Sequence, residues 1–144
     1  MSKLIRAAGA VVYSYDPSGQ RMFLLIHDRH HAWTLPKGRL EPDEDETAAA
    51  IREIAEETGV VCELERLLIR VAYPVYRKGI WRDKEVAYFL ARAALTRPVP
   101  ASDEGITQAA WIVAAHALRL VTYAQVRQVV RLALKSLDED RNDA

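Results

Sequence analysis

The stretch "REIAEETG", Arg52 to Gly59, sets Glu53, Glu56 and Glu57 in the closing turns of a helix that the glycine ends. A helix C-terminus already carries partial negative charge, and acids three or four residues apart repel, so both features of this segment are unfavourable. On a solvated helix each such pair costs only a few tenths of a kcal/mol, whereas about 6 Å apart at an effective dielectric near 20 the cost is roughly 3 kcal/mol. The acids are therefore either washed by water or gathered in a cleft around a divalent cation, for which carboxylate oxygens are suitable hard ligands.

Outward from this stretch, the pattern predicts a helix over Glu46 to Thr58, ended by Gly59. With each residue advancing about 100° and Glu53 at zero, Glu57 falls near 40°, Glu46 near 20° and Glu56 near 300°, all on one face. The opposite face, centred at about 160°, carries Ile51, Ile54, Ala55, Ala48 and Thr58 and is expected to pack on a sheet.

Before the helix, Arg6 to Tyr13 reads as a strand, "DPSG" at Asp16 to Gly19 as a turn and "MFLLIHD" as a buried strand, together a hairpin. "RHHAWTLPKGRLEPDED" reads as a long loop. Beyond the helix, Leu64 to Tyr73, Glu85 to Leu95 and Ala109 to Val113 read as strands, the first two joined by a basic, aromatic loop, "PVYRKGIWRDK". His116 starts a short helix, Thr122 is placed to cap a final helix over Tyr123 to Leu137, and residues 138–144 form a polar tail expected to fray. Strands before, between and after helices imply one α/β domain, residues 1–137, with a mixed sheet covered by helices.

At 144 residues, half hydrophobic and 28% charged, the chain has an ordinary globular composition and enough length for one real core. Twenty basic and twenty acidic residues cancel, so no global field favours nucleic acid or a membrane surface, and any charge-driven function is local. Cys62 is the only cysteine, which excludes an internal disulfide. No signal-peptide layout and no window near the roughly 20 apolar residues of a span is evident, so the expectation is a cytoplasmic, soluble protein.

Reading the acidic helix together with its approach, Gly38, Glu44, Arg52, Glu53, Ile54, Glu56, Glu57, Gly59 and Val60 match the pattern G-x5-E-x7-R-E-U-x-E-E-x-G-U, where U is a bulky aliphatic residue. The seven fixed identities, each at about 7% or less in average proteins, would coincide by chance less than roughly once in a million such chains. The segment Gly38 to Val60 resembles the Nudix box, and the surrounding order of elements resembles the Nudix fold, an α/β/α sandwich with a mixed sheet between helices. The resemblance implies a hydrolase that cleaves a nucleoside diphosphate linked to another group, using Mg²⁺ or Mn²⁺ held by Glu53, Glu56, Glu57 and the backbone at Gly38. It implies that Glu53 acts as ligand or base, that Arg52 orients a carboxylate, that Glu44 either supports the helix start or takes part in catalysis, and that Glu104, in the loop before Trp111, is an alternative general base. Asp43 replaces the glycine usual after "EP", so altered loop geometry is expected there.

Beyond the box, "RAAGAVVY", "HAWTLPKGRLEP", "KEVAYFLA" and "ALRLVTYAQVRQVV" resemble the diadenosine polyphosphate hydrolases of the family. That resemblance implies cleavage of a small nucleotide substrate, the tetraphosphate giving ATP and AMP. Pro74 sits near a proline associated with ADP-ribose hydrolases, and nucleoside triphosphate or 8-oxo-dNTP hydrolysis, diphosphoinositol polyphosphate hydrolysis and a silent nucleotide sensor stay open beside it. A long polyphosphate needs several cations, and Lys37, Arg39, Arg77, Lys78, Arg82 and Lys84 lie in two segments expected to border the site, with Lys37 and Lys84 the leading phosphate contacts. Tyr76, Trp81 and Tyr123 are candidates for stacking on adenine. His27, His30 and His31 lack a useful ligand spacing and read as polar loop residues or nucleotide contacts, and Trp33 as a brace for the loop.

Overall fold

The N-terminal hairpin turns on Asp16, whose carboxylate accepts the amides of Ser18 at 2.9 Å and Gln20 at 2.8 Å. In a computed structural model that describes residues 4–142, this turn joins β1 (Ile5–Tyr15) to β2 (Arg21–His27). The two strands pair antiparallel only beside the turn, from Tyr13 opposite Phe23 to Tyr15 opposite Arg21, and then part company.

Past that point each strand finds other partners. The segment expected as a long loop contains two short strands, β3 (Trp33–Thr34) on β2 and β4 (Lys37–Arg39) on β1. Gly9 permits the second pairing, because a Cβ there would run into the Pro36 carbonyl and Lys37. β5 (Glu63–Arg77) and β6 (Ile80–Arg92) form a long hairpin, β6 lies parallel to β1, and β7 (Gln108–Val113) pairs with β2. The mixed sheet has the order β3-β2-β1-β6-β5, with β4 on β1 and β7 on β2.

One face of the sheet packs on α1 (Glu46–Thr58) through Ala8, Ala10, Leu24, Ala87 and Ile54. The other packs on α2 (Ala114–Leu120) and α3 (Ala124–Asn142) through Val11, Phe23, Tyr88, Val129 and Val130. The result is an α/β/α sandwich. Among the described residues no helix is long and apolar enough to cross a membrane.

Several sequence expectations change. "PVYRKGIWRDK" is not a loop: both strands run through it in register to a two-residue turn at Lys78 and Gly79, with φ of 53° and 76°. Pro74 is tolerated because β5 is an edge strand. Thr122 does not cap α3; its hydroxyl accepts the Trp33 amide at 2.9 Å. α3 passes the expected end at Leu137 and continues to Asn142, held by Asp138 to Arg21 and Asp140 to Arg66. Residues 143 and 144 of the expected tail lie outside the described residues.

The largest correction concerns α1. Its ends fall where expected, with Asp45 accepting the Ala48 amide at 2.8 Å and Gly59 left-handed at φ 72°. Its buried residues, however, are Ala49, Ala50, Ile54, Glu57 and Thr58, while Ile51 is exposed. The buried arc is thus centred near 50°, rotated about 100° from the apolar stripe. Small residues on both elements permit this approach, since Ala49 and Ala50 share one buried cluster with Ala8 and Ala10 of β1.

Candidate active site

Rotation of α1 carries its acids inward. Glu57 is only 9% exposed, and one of its carboxylate oxygens accepts the Lys37 amide at 2.8 Å. Burial pushes its carboxyl up to about 8, with the charges of Glu53 and Glu104 adding to the shift and Lys37 opposing it. Glu53 is also raised by burial, with Glu56 and Glu104 pushing the same way against Arg52. These glutamates are therefore not on a water-washed face.

Arg52 organises the approach to them. Its Nη1 donates to Glu53 at 2.8 Å and to Glu56 at 3.1 Å, while Nε and Nη2 grip Glu44 at 2.7 and 2.8 Å. Nη2 also donates to the Arg39 carbonyl at 3.0 Å, which ties β4 to the helix. The Arg52 hydrogen bonds, helped by the Glu41 amide, hold the Glu44 carboxyl down to about 2. Gly38 backs directly onto this cluster: an added Cβ would land on the Glu53 carboxylate. Asp43 adopts the left-handed conformation itself, at φ 65°, a region that glycine enters without steric cost.

The cleft opens where β1 and β2 part. It holds about 510 Å³ and is lined by Lys37, Glu57, Arg77 and Glu104 together with Asp28, Arg29 and His30. Glu104 sits in a 3-10 turn, Ser102–Glu104, whose carbonyl accepts Arg29 Nη2 at 3.0 Å. Lys84 stands nearby: burial, together with the positive charges of Lys37, Arg77 and Arg39, lowers its ammonium to about 8. Acids and cations thus share one opening.

Of the expected site residues, the structure brings Lys37, Glu57 and Glu104 into the walls of the cleft, with Glu53, Glu56, Arg52 and Gly38 behind them. Arg39 faces a neighbouring groove. Tyr76 does not line the cleft, because strand alternation turns it away from Arg77 and it packs on Trp81 at 5.1 Å between ring centroids. Tyr123 is exposed just before α3, outside the cleft walls. Trp33 braces the β3 segment, packed on the α2 and α3 side of the core and against His27. Sequence reasoning missed Asp28 and Arg29. The signal was the turn chemistry of "DRHH", where Asp28 accepts the amides of His30 and Ala32 and His31 takes a φ of 60°.

The donor set suits a hard divalent cation: three carboxylates on one helical turn, a fourth across the cleft, and a buried Glu57 whose ionisation is opposed by its neighbours. The ligands are not assembled as the side chains stand, because among the described residues no three His, Cys, Asp or Glu groups are placed to enclose an ion. Arg52 occupies the oxygens of Glu53 and Glu56 that would turn toward it.

Residues 4–133 match the sequence model of the NUDIX domain. The chain belongs to the Nudix family. As a Nudix hydrolase it acts on acid anhydrides in phosphorus-containing compounds, and members of the family bind small nucleotide substrates and generally use divalent cations such as Mg²⁺. The asymmetrical bis(5'-nucleosyl)-tetraphosphatase of Caenorhabditis elegans is 31% identical over 130 residues, covering 89% of this chain and 93% of that protein. A crystal structure of a C. elegans Ap4A hydrolase binary complex superposes with a TM-score of 0.78 at 28% identity, over 94% of this Nudix chain and 98% of that one. The 8-oxo-(d)GTP phosphatase of Mycolicibacterium smegmatis is 33% identical over 140 residues, 91% of this chain, which spans only 42% of that longer protein.

Proposed function

We propose that this Nudix hydrolase cleaves diadenosine polyphosphates asymmetrically, converting the tetraphosphate and water to ATP and AMP. The observation that carries the reading is the split sheet, whose opening sets the Glu57 and Glu104 acids against Lys37 and Arg77, with Lys84 close by. Carboxylates for a divalent cation and several cations for a long phosphate bridge meet in one cleft. The near full-length likeness to the C. elegans tetraphosphatase supports the same substrate class.

Glu53, Glu56 and Glu57, with the Gly38 backbone, would hold Mg²⁺ or Mn²⁺, which when bound polarises phosphoryl oxygens and acidifies a coordinated water. Lys37 and Lys84 bind and orient the bridge. Water attacks phosphorus, the bridging P–O bond breaks, the leaving phosphate departs with the bond's electron pair, and the proton passes to a carboxylate. Glu104 is better placed than Glu53 to take it, because Glu53 is held by Arg52 while the Glu104 carboxylate has no hydrogen bond among the described residues. Cys62, buried and unpaired, suits the cytoplasm as the protein's location.

The deciding experiment incubates purified protein with Mg²⁺ or Mn²⁺ and Ap4A, Ap6A, ADP-ribose, dNTPs including 8-oxo-dGTP, or diphosphoinositol phosphates, and resolves products by anion exchange. Ap4A should give ATP and AMP, and Glu57→Gln should lower kcat at least about 100-fold with the fold intact. Preferential turnover of 8-oxo-dGTP would replace this reading with the activity named for the M. smegmatis relative. No turnover of any substrate would leave a nucleotide sensor.

A further inference from the structure

Strand alternation sets Lys84, Arg82 and Ile80 of β6 on the same sheet face as their partners Tyr73, Val75 and Arg77 of β5. Parallel pairing of Ile5 with Lys84, and antiparallel pairing of Ala7 with Arg39, put Ile5 and Arg39 on that face too. Tyr73 belongs to the core packed beneath α3, but pairing with β1 ends at Lys84, and beyond it the hairpin continues as an arm.

Along this arm runs a groove of about 230 Å³ lined by Ile5, Arg39, Arg77, Lys78, Ile80 and Arg82. Among the described residues its walls hold four cations and no acid. None of the four forms an ion pair among the described residues. Arg77 lines both this groove and the active cleft, so the two adjoin at its side chain. Holding four like charges together without counter-charges is unfavourable unless an anion joins them. The aromatic pair Tyr76 and Trp81 alternates onto the opposite face, so among the described residues Ile5 and Ile80 are the apolar walls and no ring is there for a base to stack on. The groove is built for phosphates.

We propose that this groove is a second polyphosphate seat, entered past Arg77, which takes the phosphates of a bridge too long for the cleft alone and so makes the enzyme favour longer-bridged dinucleotides. The inference rests on the substrate reading above, but its binding chemistry can be tested apart from it. Guanidinium groups grip phosphate oxygens in pairs, and each added phosphate brings a charge for an otherwise unpaired cation.

The test combines Lys78→Asn, which suits the left-handed φ at that position, with Arg82→Gln. The kcat/KM for Ap6A should fall about tenfold, through KM, while that for Ap4A holds, and Arg82→Lys should retain most of the preference. An equal effect on both substrates, or none on either, overturns the proposal. A second arm titrates linear tripolyphosphate and reads the fluorescence of exposed Trp81, isolated by comparison with Trp81→Phe. A saturable change that salt weakens and the double variant abolishes supports the seat. If no dinucleotide is cleaved but this binding persists, the seat stands and the substrate reading falls. If dinucleotides are cleaved without any effect of bridge length, the seat falls and the substrate reading stands.

Discussion

Glu57 shows how one residue can be legible in identity and illegible in environment. The spacing of "REIAEETG" placed it among the acids, but a helical wheel drawn from hydrophobicity set those acids opposite the packed stripe of Ile51 and Ala55 and left both a water-washed face and a cation cleft open. Packing of small on small rotated the helix and buried it. The consequence is a measurable pH dependence. Its carboxyl, ordinarily near 4.5, is pushed up to about 8 by burial and by Glu53 and Glu104. Between those values the folded protein keeps a proton that the unfolded chain releases, so stability falls as pH rises through the window and levels off above it. In EDTA, Glu57→Gln should remove this slope and melt several degrees above the wild type at pH 8.5, a gain on the order of 3 kcal/mol, with little difference at pH 4.5. Saturating Mg²⁺ should close the gap at high pH by stabilising only the wild type. Parallel wild-type and variant melting curves across this range would mean that Glu57 ionises freely in the fold.

At the scale of elements, α1 was readable because its signals are local: Asp45 caps the start and Gly59 supplies the left-handed stop. The β5–β6 arm was not. Its proline and charges read as a loop, and what makes it a hairpin is the Lys78-Gly79 turn with both residues at positive φ, whose twist matches the flanking strands. Gly79→Ala should therefore cost about 1 kcal/mol where the arm is concerned, and hydrogen exchange of amides 75–83 should quicken while the central β1 and β6 amides stay protected. Unchanged exchange in the arm would show that pairing along β5 and β6, rather than the turn, dictates the hairpin. Because the arm carries Arg77, Lys78 and Arg82, loosening it should also weaken tripolyphosphate binding.

Across the whole molecule, what escaped the sequence was the parting of β1 and β2, since each half of that split depends on partners far along the chain: β4 and β6 on one side, β3 and β7 on the other. The same long-range logic reaches the C-terminus, where residues 138–144 read as a polar tail expected to fray. Asp138 accepts Arg21 Nη1 at 3.0 Å, and the Arg21 side chain is only 12% exposed, its buried Nε and Nη2 atoms having no hydrogen bond among the described residues. Asp140 holds Arg66 of β5, which also bonds Ser136. A chain ending at Leu137 loses both carboxylates and leaves the Arg21 guanidinium in the core boundary without a counter-charge. Unfolding by urea should show a loss of about 1–3 kcal/mol, the ordinary cost of stranding a buried polar group. Arg21→Met in the shortened chain should recover most of it, because an apolar side chain of similar length needs no partner. If the shortened chain unfolds at the same urea concentration as the intact one, α3 is anchored by Val126, Val129 and Val130 alone, and its last turn contributes nothing to the fold.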